Sequence, residues 1–262
     1  MLVWLKAVVL GIVEGATEFL PVSSTGHLII AADWLRFPVA QRDTFEIFIQ
    51  LGAILAVFWH YRADLLDLAR RAPREPAAQG LIGKVLLAFL PAAVVGLFLH
   101  HWIEDNLFSV RAVAWALIVG GVLIWLIERR PRTATVTRME SMRWRDALAV
   151  GIAQVASLYP GTSRAAATIV GGMLSGMSRP AATQFSFYLA LPTLTAASLF
   201  SLLKALDQIT ADAALALALG LVAAFVSALA VIRVFLAYVQ THDFRPFAYY
   251  RIAFGLLLLW WN

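Results

Sequence analysis

The chain of 262 residues contains no cysteine and little charge. Without cysteine it can have neither a disulfide framework, nor thiolate chemistry, nor a cysteine-bound metal. Charged side chains make up only 14% of the residues, whereas hydrophobic ones make up 61%, and the mean hydropathy is +0.78. Because a soluble protein of this length cannot bury so much apolar surface, the composition predicts an all-α polytopic membrane protein, with residues 1–262 forming a single membrane domain.

Six apolar stretches are long enough to be membrane-spanning helices, at about 20 residues per span. They cover residues 44–59, 84–101, 111–127, 183–203, 212–235 and 247–261. Two further apolar stretches, 1–30 and 147–175, are interrupted by Pro21 and by Pro160, so we predict a re-entrant helical hairpin in each. The alternative is that each stretch forms one or two complete spans. Residues 60–83 are predicted to form a polar loop.

Positive charges are unevenly distributed between the predicted loops. If both hairpins are re-entrant, the loops 60–84, 128–146, 176–182 and 233–247, together with Arg251, lie on one side and hold 15 of the 21 Lys and Arg residues. The positive-inside rule places this side in the cytoplasm and both termini outside it. Since cytoplasmic loops account for the net charge of +5, we predict membrane lipids as partners and no nucleic acid.

The two halves of the chain resemble each other at an interval close to 140 residues. The stretch that ends at Glu14 matches the one that ends at Gln154. We therefore predict a first repeat over 1–128 and a second over 147–262, joined by a basic cytoplasmic linker at 129–146. Because three spans separate the two hairpins, the repeats are inverted, and the hairpin tips are expected to meet near the membrane midplane, as in many transporters.

The first hairpin carries carboxylates, hydroxyls and an imidazole at membrane depth, where ionisable groups are costly and usually functional. Glu14 and Glu18 are four residues apart and therefore share a helix face, which suits a divalent cation such as Mg²⁺ or Ca²⁺. A serine near a histidine indicates a nucleophile and a general acid or base. The candidates for these roles and for phosphate contacts are Ser23, Ser24, Thr25 and His27.

The second hairpin carries a single cation, Arg164, in a stretch that is otherwise uncharged over 147–177. A guanidinium at this depth favours an anion, and its planar fork fits phosphate oxygens. Gly161, Thr162 and Ser163 precede it, so their backbone N–H groups and hydroxyls can complete a phosphate cradle at a helix start. Together the two tips predict phosphoryl transfer or hydrolysis on a membrane-held substrate.

Several alternatives stay open on the residues alone. Glu14 and Glu18 could instead bond intramembrane hydroxyls, and Arg164 could form a structural ion pair with either of them. Spacing does not distinguish Ser23 from Ser24, nor a covalent phosphoserine from direct attack by water. A lipid flippase or an ion-coupled transporter is the competing class, because inverted repeats with intramembrane charges are typical of transporters. The oligomeric state is open, and a homodimer is allowed.

Two motifs resemble those of the undecaprenyl-diphosphate phosphatase family of the bacitracin-resistance type. The first combines Glu14 and Glu18 with the sequence Pro-Val-Ser-Ser-Thr-Gly-His at 21–27, and the second is Pro-Gly-Thr-Ser-Arg at 160–164. The resemblance spans the whole chain. One departure is Ala165, where the family usually has a serine. Position 165 therefore lacks a hydroxyl for phosphate and cannot supply the nucleophile.

The resemblance implies hydrolysis of undecaprenyl diphosphate to undecaprenyl phosphate and phosphate in the bacterial cytoplasmic (inner) membrane. This reaction recycles the carrier lipid for peptidoglycan synthesis, and so for cell-wall biogenesis and cell shape, and it confers bacitracin resistance. The resemblance also implies a divalent cation, Mg²⁺ or Ca²⁺, and a site that faces the periplasm. The expected catalytic residues are Glu18, Ser24, His27 and Arg164, the expected substrate-binding residues are Ser23, Thr25, Gly161, Thr162, Ser163 and Arg164, and the expected metal ligands are Glu14 and Glu18.

Overall fold

The computed structural model describes residues 2–38, 42–107, 109–130, 133–205 and 211–261. Within these ranges the chain is helical, and its one β-type pairing is an isolated bridge between Val136 and Met177. The α-helices are α1 (Val3–Thr17), α2 (Ser24–Trp34), α3 (Arg42–His60), α4 (Arg62–Arg71), α5 (Pro76–Leu107), α6 (Val110–Arg129), α7 (Trp144–Val155), α8 (Arg164–Leu174), α9 (Arg179–Ala205), α10 (Ala211–Tyr238) and α11 (Arg245–Trp261).

Each of the six predicted spans lies on one helix, in the order α3, α5, α6, α9, α10 and α11. Within the described ranges, four helices are long and apolar enough to cross a membrane; these candidate spans are Pro76–Leu99, Val110–Arg129, Arg179–Leu203 and Ala214–Tyr238. A fifth crossing results if α3 and α4, which meet at a bend of 66°, form one broken span. The prediction of an all-α, multi-pass membrane protein is thus confirmed.

The prediction of a polar loop over residues 60–83 is wrong. Residues 62–71 form α4, and α5 already begins at Pro76, eight residues before the predicted span. The helix α4 places charged side chains outward and the side chain of Leu68 inward, where it is buried. Proline favours the first position of a helix, where its missing N–H has no partner to lose. The polar composition of this stretch therefore did not reveal the amphipathic helix α4 or the early start of α5.

Both broken segments fold as helix, break and helix. The first break separates α1 from α2 and the second, which includes a short 3₁₀ turn, separates α7 from α8. Ser23 and Ser163 occupy equivalent places immediately before α2 and α8, with φ of 72° and 71°. Each precedes an 11-residue helix. The interval of 140 residues found in the sequence thus recurs in the backbone, while the inversion of the repeats across the membrane stays a prediction.

Each hairpin packs against a long helix from the other half of the chain. Helix α1 lies so close to α10 that a Cβ on Gly15 would be 2.3 Å from the carbonyl oxygen of Ala224. Helix α7 approaches α5 in the same way, since a Cβ on Gly151 would be 2.6 Å from the carbonyl oxygen of Ala88. This exchange, together with the packing of α6 on α11 and of α3 on α9, brings both hairpin tips to the centre of the protein.

Residues 131 and 132 of the predicted linker at 129–146 lie outside the described residues, and the rest of the linker packs against the protein. The N–H groups of Thr135 and Val136 donate to the carbonyl oxygen of Gly176, at 2.9 and 3.0 Å, in the turn between α8 and α9. Met139 and Met142 are buried. The linker therefore packs on the second half, and its cytoplasmic location stays a prediction.

Candidate active site

The two hairpin tips are in contact through a buried ion pair. Arg164 Nη2, at the start of α8, lies 3.3 Å from Glu18 Oε1, just after α1, and the two side chains are 7% and 8% exposed. The single-site hypothesis requires such a contact. The same contact is the ion pair between Arg164 and a glutamate that the sequence left open as an alternative. An ion pair with Glu18 is compatible with anion binding, because the arginine has further N–H donors to offer an anion.

Glu18 also connects to the first hydroxyl of α2. Ser24 Oγ donates to Glu18 Oε2 at 2.7 Å, while Oε1 of the same carboxylate faces Arg164. Ser23, by contrast, is buried and makes no side-chain capping bond. Its φ of 72° turns the chain so that Ser24 begins the helix. The geometry therefore favours Ser24 over Ser23 as the hydroxyl with an adjacent base.

Arg164 is also hydrogen-bonded to α9. Its Nη1 donates to the carbonyl oxygen of Ser186 at 3.1 Å and lies 3.3 Å from the Ser186 hydroxyl. Thr168 Oγ1 is 2.7 Å from that hydroxyl and donates to the Arg164 carbonyl oxygen at 2.8 Å. The buried Nε of Arg164 has no hydrogen-bond partner within the described ranges. The guanidinium is thus oriented by two partners and retains a donor for an anion.

His27 makes no hydrogen bond to Ser24 or Glu18 in the part of the chain that the structure describes. Its Nδ1 lies 2.7 Å from the carbonyl oxygen of Ser23, and its Nε2 lies 2.6 Å from the hydroxyl of Tyr250. The ring stacks on Phe254 at a centroid distance of 4.3 Å. Since a carbonyl oxygen can only accept, Nδ1 carries the proton, and the neutral ring accepts the Tyr250 hydroxyl at Nε2.

The remaining candidates of the second tip have backbone and capping roles that the structure defines. Ser163 Oγ accepts from Ala166 N at 3.2 Å, which caps α8, and it lies 3.5 Å from the carbonyl oxygen of Leu20 in the first tip. Gly161 has a φ of 88°, which favours glycine. Thr162 is half-buried, as is Thr25 in the first tip. These residues line the junction of the tips without further side-chain bonds among the described residues.

The predicted metal ligands Glu14 and Glu18 are both buried at the end of α1. Glu18 and Glu46 are near enough to Glu14 to repel its carboxylate electrostatically. Within the described residues no group of three His, Asp or Glu side chains is spaced to hold a metal ion. The donor set therefore does not form a protein cage. It fits a cation such as Mg²⁺, which takes one or two carboxylates and completes its shell with waters and phosphate oxygens.

Two residues on α11 were not recognised from the sequence. The prediction that Arg251 belongs to the cytoplasmic loop charges is wrong, because its side chain is fully buried, at 0% exposed. Omitting it leaves the charge bias in the same direction. Tyr250, the partner of His27, is 223 residues away along the chain. A charge inside an apolar 17-residue helix was the available signal for Arg251, whereas nothing in the sequence pointed to Tyr250.

The fold and these side chains define a multi-pass helical membrane protein in which two broken helices meet at a buried arginine–glutamate pair. A family model described as "Bacitracin resistance protein BacA" matches residues 7–257. A protein named undecaprenyl-diphosphatase from Dechloromonas aromatica is 51% identical over 255 residues, which are 97% of this chain and 93% of that one. Its namesake from Nitrosospira multiformis is 50% identical with the same coverage. The chain belongs to the BacA family.

Proposed function

We propose that this protein hydrolyses undecaprenyl diphosphate to undecaprenyl phosphate and inorganic phosphate. The family and the names of relatives at about 50% identity support the activity. The observation that carries the proposal to this chain is the link from Ser24 through Glu18 to Arg164, with Oγ–Oε2 and Nη2–Oε1 distances of 2.7 and 3.3 Å. This arrangement joins a nucleophile, a base and an anion clamp in one buried place.

In the first step, Ser24 Oγ attacks the terminal phosphorus and its proton passes to Glu18 Oε2. The bond from that phosphorus to the bridging oxygen breaks, and undecaprenyl phosphate leaves with the electron pair. Arg164 offers its free Nε–H to a phosphate oxygen and stabilises the charge that develops there. Helices α2 and α8 both begin at this site, and their dipoles stabilise the same negative charge.

In the second step, water attacks the phosphoserine and releases phosphate. Glu18 returns its proton to Ser24. The attacking water gives its proton to the Tyr250 oxygen while the Tyr250 hydroxyl passes its own proton to His27 Nε2, to which it donates at 2.6 Å. His27 then loses this proton to the released phosphate. The remaining candidates are assigned to the walls of the site and to the backbone donors around the two phosphates; they are Ser23, Thr25, Gly161, Thr162 and Ser163.

A divalent cation, Mg²⁺ or Ca²⁺, is part of the proposal. Glu14 and Glu18 would hold it, and the ion would neutralise the charge of the diphosphate when bound. Support comes from the charge of the site, because the buried carboxyl groups of Glu14 and Glu18 lie near each other and Arg164 is ion-paired with Glu18. Two buried carboxylates that both stay ionised need more positive charge than one guanidinium supplies.

The proposed setting is the bacterial inner membrane, with the site open to the periplasm. The positive-inside rule supports this orientation, since the loops that are rich in Arg are predicted on the side away from the first hairpin. There the enzyme recycles the carrier lipid for peptidoglycan synthesis and confers resistance to bacitracin. One chain contains every residue named in the scheme, so a homodimer is compatible with it but is not needed.

The test is phosphate release from undecaprenyl diphosphate by protein purified in detergent, with Mg²⁺, with Ca²⁺ and with EDTA. The proposal predicts release that EDTA abolishes and that either ion restores. Release that is insensitive to EDTA would contradict the cation assignment alone. Binding of the lipid without any phosphate release would contradict hydrolysis and favour the competing class, a flippase or transporter.

A further inference from the structure

Arg251 has no role in the reaction scheme, yet it is among the most buried side chains of the protein, at 0% exposed. Its side-chain hydrogen bonds within the described residues all go to backbone carbonyl oxygens, and none goes to a carboxylate. A buried guanidinium without a counter-charge is costly unless its donors are satisfied. The positions of those carbonyls therefore indicate why the arginine is there.

The guanidinium connects three separate parts of the chain. Nη1 donates to the carbonyl oxygen of Pro21 at 3.2 Å, and Nη2 donates to that of Gly161 at 3.2 Å. Nη2 and Nε also donate to the carbonyl oxygens of Ala116 and Leu117 on α6, at 3.1 and 3.4 Å. One side chain on α11 thus fastens the first tip, the second tip and the helix behind them.

The two tip carbonyls stand at equivalent places relative to the reactive side chains. Pro21 is three residues before Ser24, and Gly161 is three residues before Arg164. Fixing both carbonyls to one rigid, planar group sets the distance between the two tips. Arginine suits this task because its five donors have fixed directions, which a lysine ammonium lacks.

A glycine on helix α6, Gly120, leaves the space that the Arg251 side chain occupies. A Cβ on Gly120 would lie 2.3 Å from Arg251 Nη2 and 3.0 Å from its Cζ, so that any larger residue would displace the guanidinium. Gly96, on α5, offers a contrast, because a Cβ there would meet nothing nearer than Leu158 Cδ2 at 3.4 Å, an ordinary contact. The chain therefore provides a disruptive and a harmless glycine position on two long helices.

We propose that Arg251 is a positioning residue that holds the two hairpin tips in register, so that Ser24 and Arg164 act on the same phosphate. The inference rests on the proposed hydrolysis for its kinetic consequence, but not for its structural one. Arg251 itself does not touch the reacting atoms. Its contribution is expected in kcat rather than in KM, because a misplaced nucleophile slows the reaction of substrate that is already bound.

The kinetic test compares Arg251→Met, Arg251→Lys and Gly120→Ala with Gly96→Ala as the matched control. A displacement near 1 Å can cost about 10²-fold in rate, so we expect Arg251→Met to lower kcat by about 100-fold with little change in KM. Arg251→Lys keeps the charge and some donors and should recover about tenfold of that loss. Gly120→Ala should resemble Arg251→Lys, and Gly96→Ala should match the unmodified protein.

A second readout does not depend on activity. Because the chain has no cysteine, the exposed residues Ile12 on α1 and Ile152 on α7 can be replaced by cysteine and spin-labelled without background. Pulsed electron spin resonance then reports the distance between the hairpins. Arg251→Met should broaden this distribution, and Gly96→Ala should leave it unchanged.

Three outcomes are distinguishable. A slow Arg251→Met variant with a broadened distance distribution supports the positioning role. A folded variant with nearly normal kcat, or one with an unchanged distribution, overturns it. If the unmodified protein releases no phosphate, the proposed function fails, while the spin-label distances still decide whether Arg251 holds the tips together.

Discussion

The substitution Glu18→Gln separates chemistry from binding in the proposed site. The amide keeps the shape of the side chain and still accepts a hydrogen bond from Ser24, but it is uncharged and cannot take the proton. A positioned general base contributes about 10²- to 10⁴-fold in rate, which corresponds to about 3–5 kcal/mol in the activation free energy. We therefore expect kcat to fall by that factor.

The expected change in KM has the opposite sense. Glu18 now occupies one face of Arg164 at 3.3 Å, and its neutral replacement competes less well with a phosphate for the guanidinium. At a saturating concentration of the divalent cation, which offsets the lost metal ligand, the KM for the lipid diphosphate should be unchanged or lower. Breaking a buried ion pair from one side can also cost about 3–5 kcal/mol of folding free energy. Rates must therefore be normalised to the protein that elutes as a single folded species in detergent.

The assay is the initial rate of phosphate release at several lipid concentrations, and Glu75→Gln is the matched control. Glu75 is on the surface, with a side chain that is 48% exposed and 3.2 Å from Arg71, and such pairs contribute about 0–1 kcal/mol. The control should therefore keep the kcat of the unmodified protein. If folded Glu18→Gln retains kcat within about tenfold of that value, Glu18 is not the base and the reasoning is refuted.

Two further substitutions address the histidine and the second tip. Tyr250→Phe removes the hydroxyl that donates to His27 Nε2 at 2.6 Å. We expect kcat to fall by about tenfold and one limb of the pH–rate profile to shift. An unchanged profile would exclude a role for Tyr250 in proton transfer by His27. Gly161→Ala places a Cβ 2.6 Å from the Val113 carbonyl oxygen at a φ of 88°. It should lower the thermal midpoint by an amount equivalent to at least about 1–2 kcal/mol, while Gly80→Ala, with nothing within 4 Å of its Cβ, should not lower it; equal midpoints would contradict the tight packing of the tip.

The sequence predicted the helical spans because apolar length is a strong signal in a membrane protein. It also predicted both breaks, since Pro21 and Pro160 interrupt runs that contain polar side chains. The prediction of a loop over 60–83 was wrong because polar composition was taken as a sign of irregular structure. Helix α4 is polar, yet it packs through a single buried residue, Leu68. Apolar length therefore identified the long helices, and the amphipathic pattern of α4 was missed because its composition is polar.

The site was predictable in its residue types but not in its pairings. The contact between Glu18 and Arg164 followed from the idea that two repeats meet, yet the choice of Glu18 over Glu14 depends on the turn after α1. The partners of His27 and Arg251 could not be inferred, because Tyr250 and Pro21 reach them from 223 and 230 residues away. Such contacts depend on how α11 packs against α6, which no local pattern encodes.

The most direct test of the central claim is a single-turnover reaction with undecaprenyl diphosphate labelled in its terminal phosphate, quenched in acid and followed by peptide mapping. The account predicts a transient label on Ser24, absent in Ser24→Ala and retained in Ser23→Ala. It also predicts that Arg164→Met, which lacks the anion clamp from the second tip, accumulates the label more slowly. Phosphate release with no labelled protein at any time, or a label on a residue other than Ser24, would contradict it.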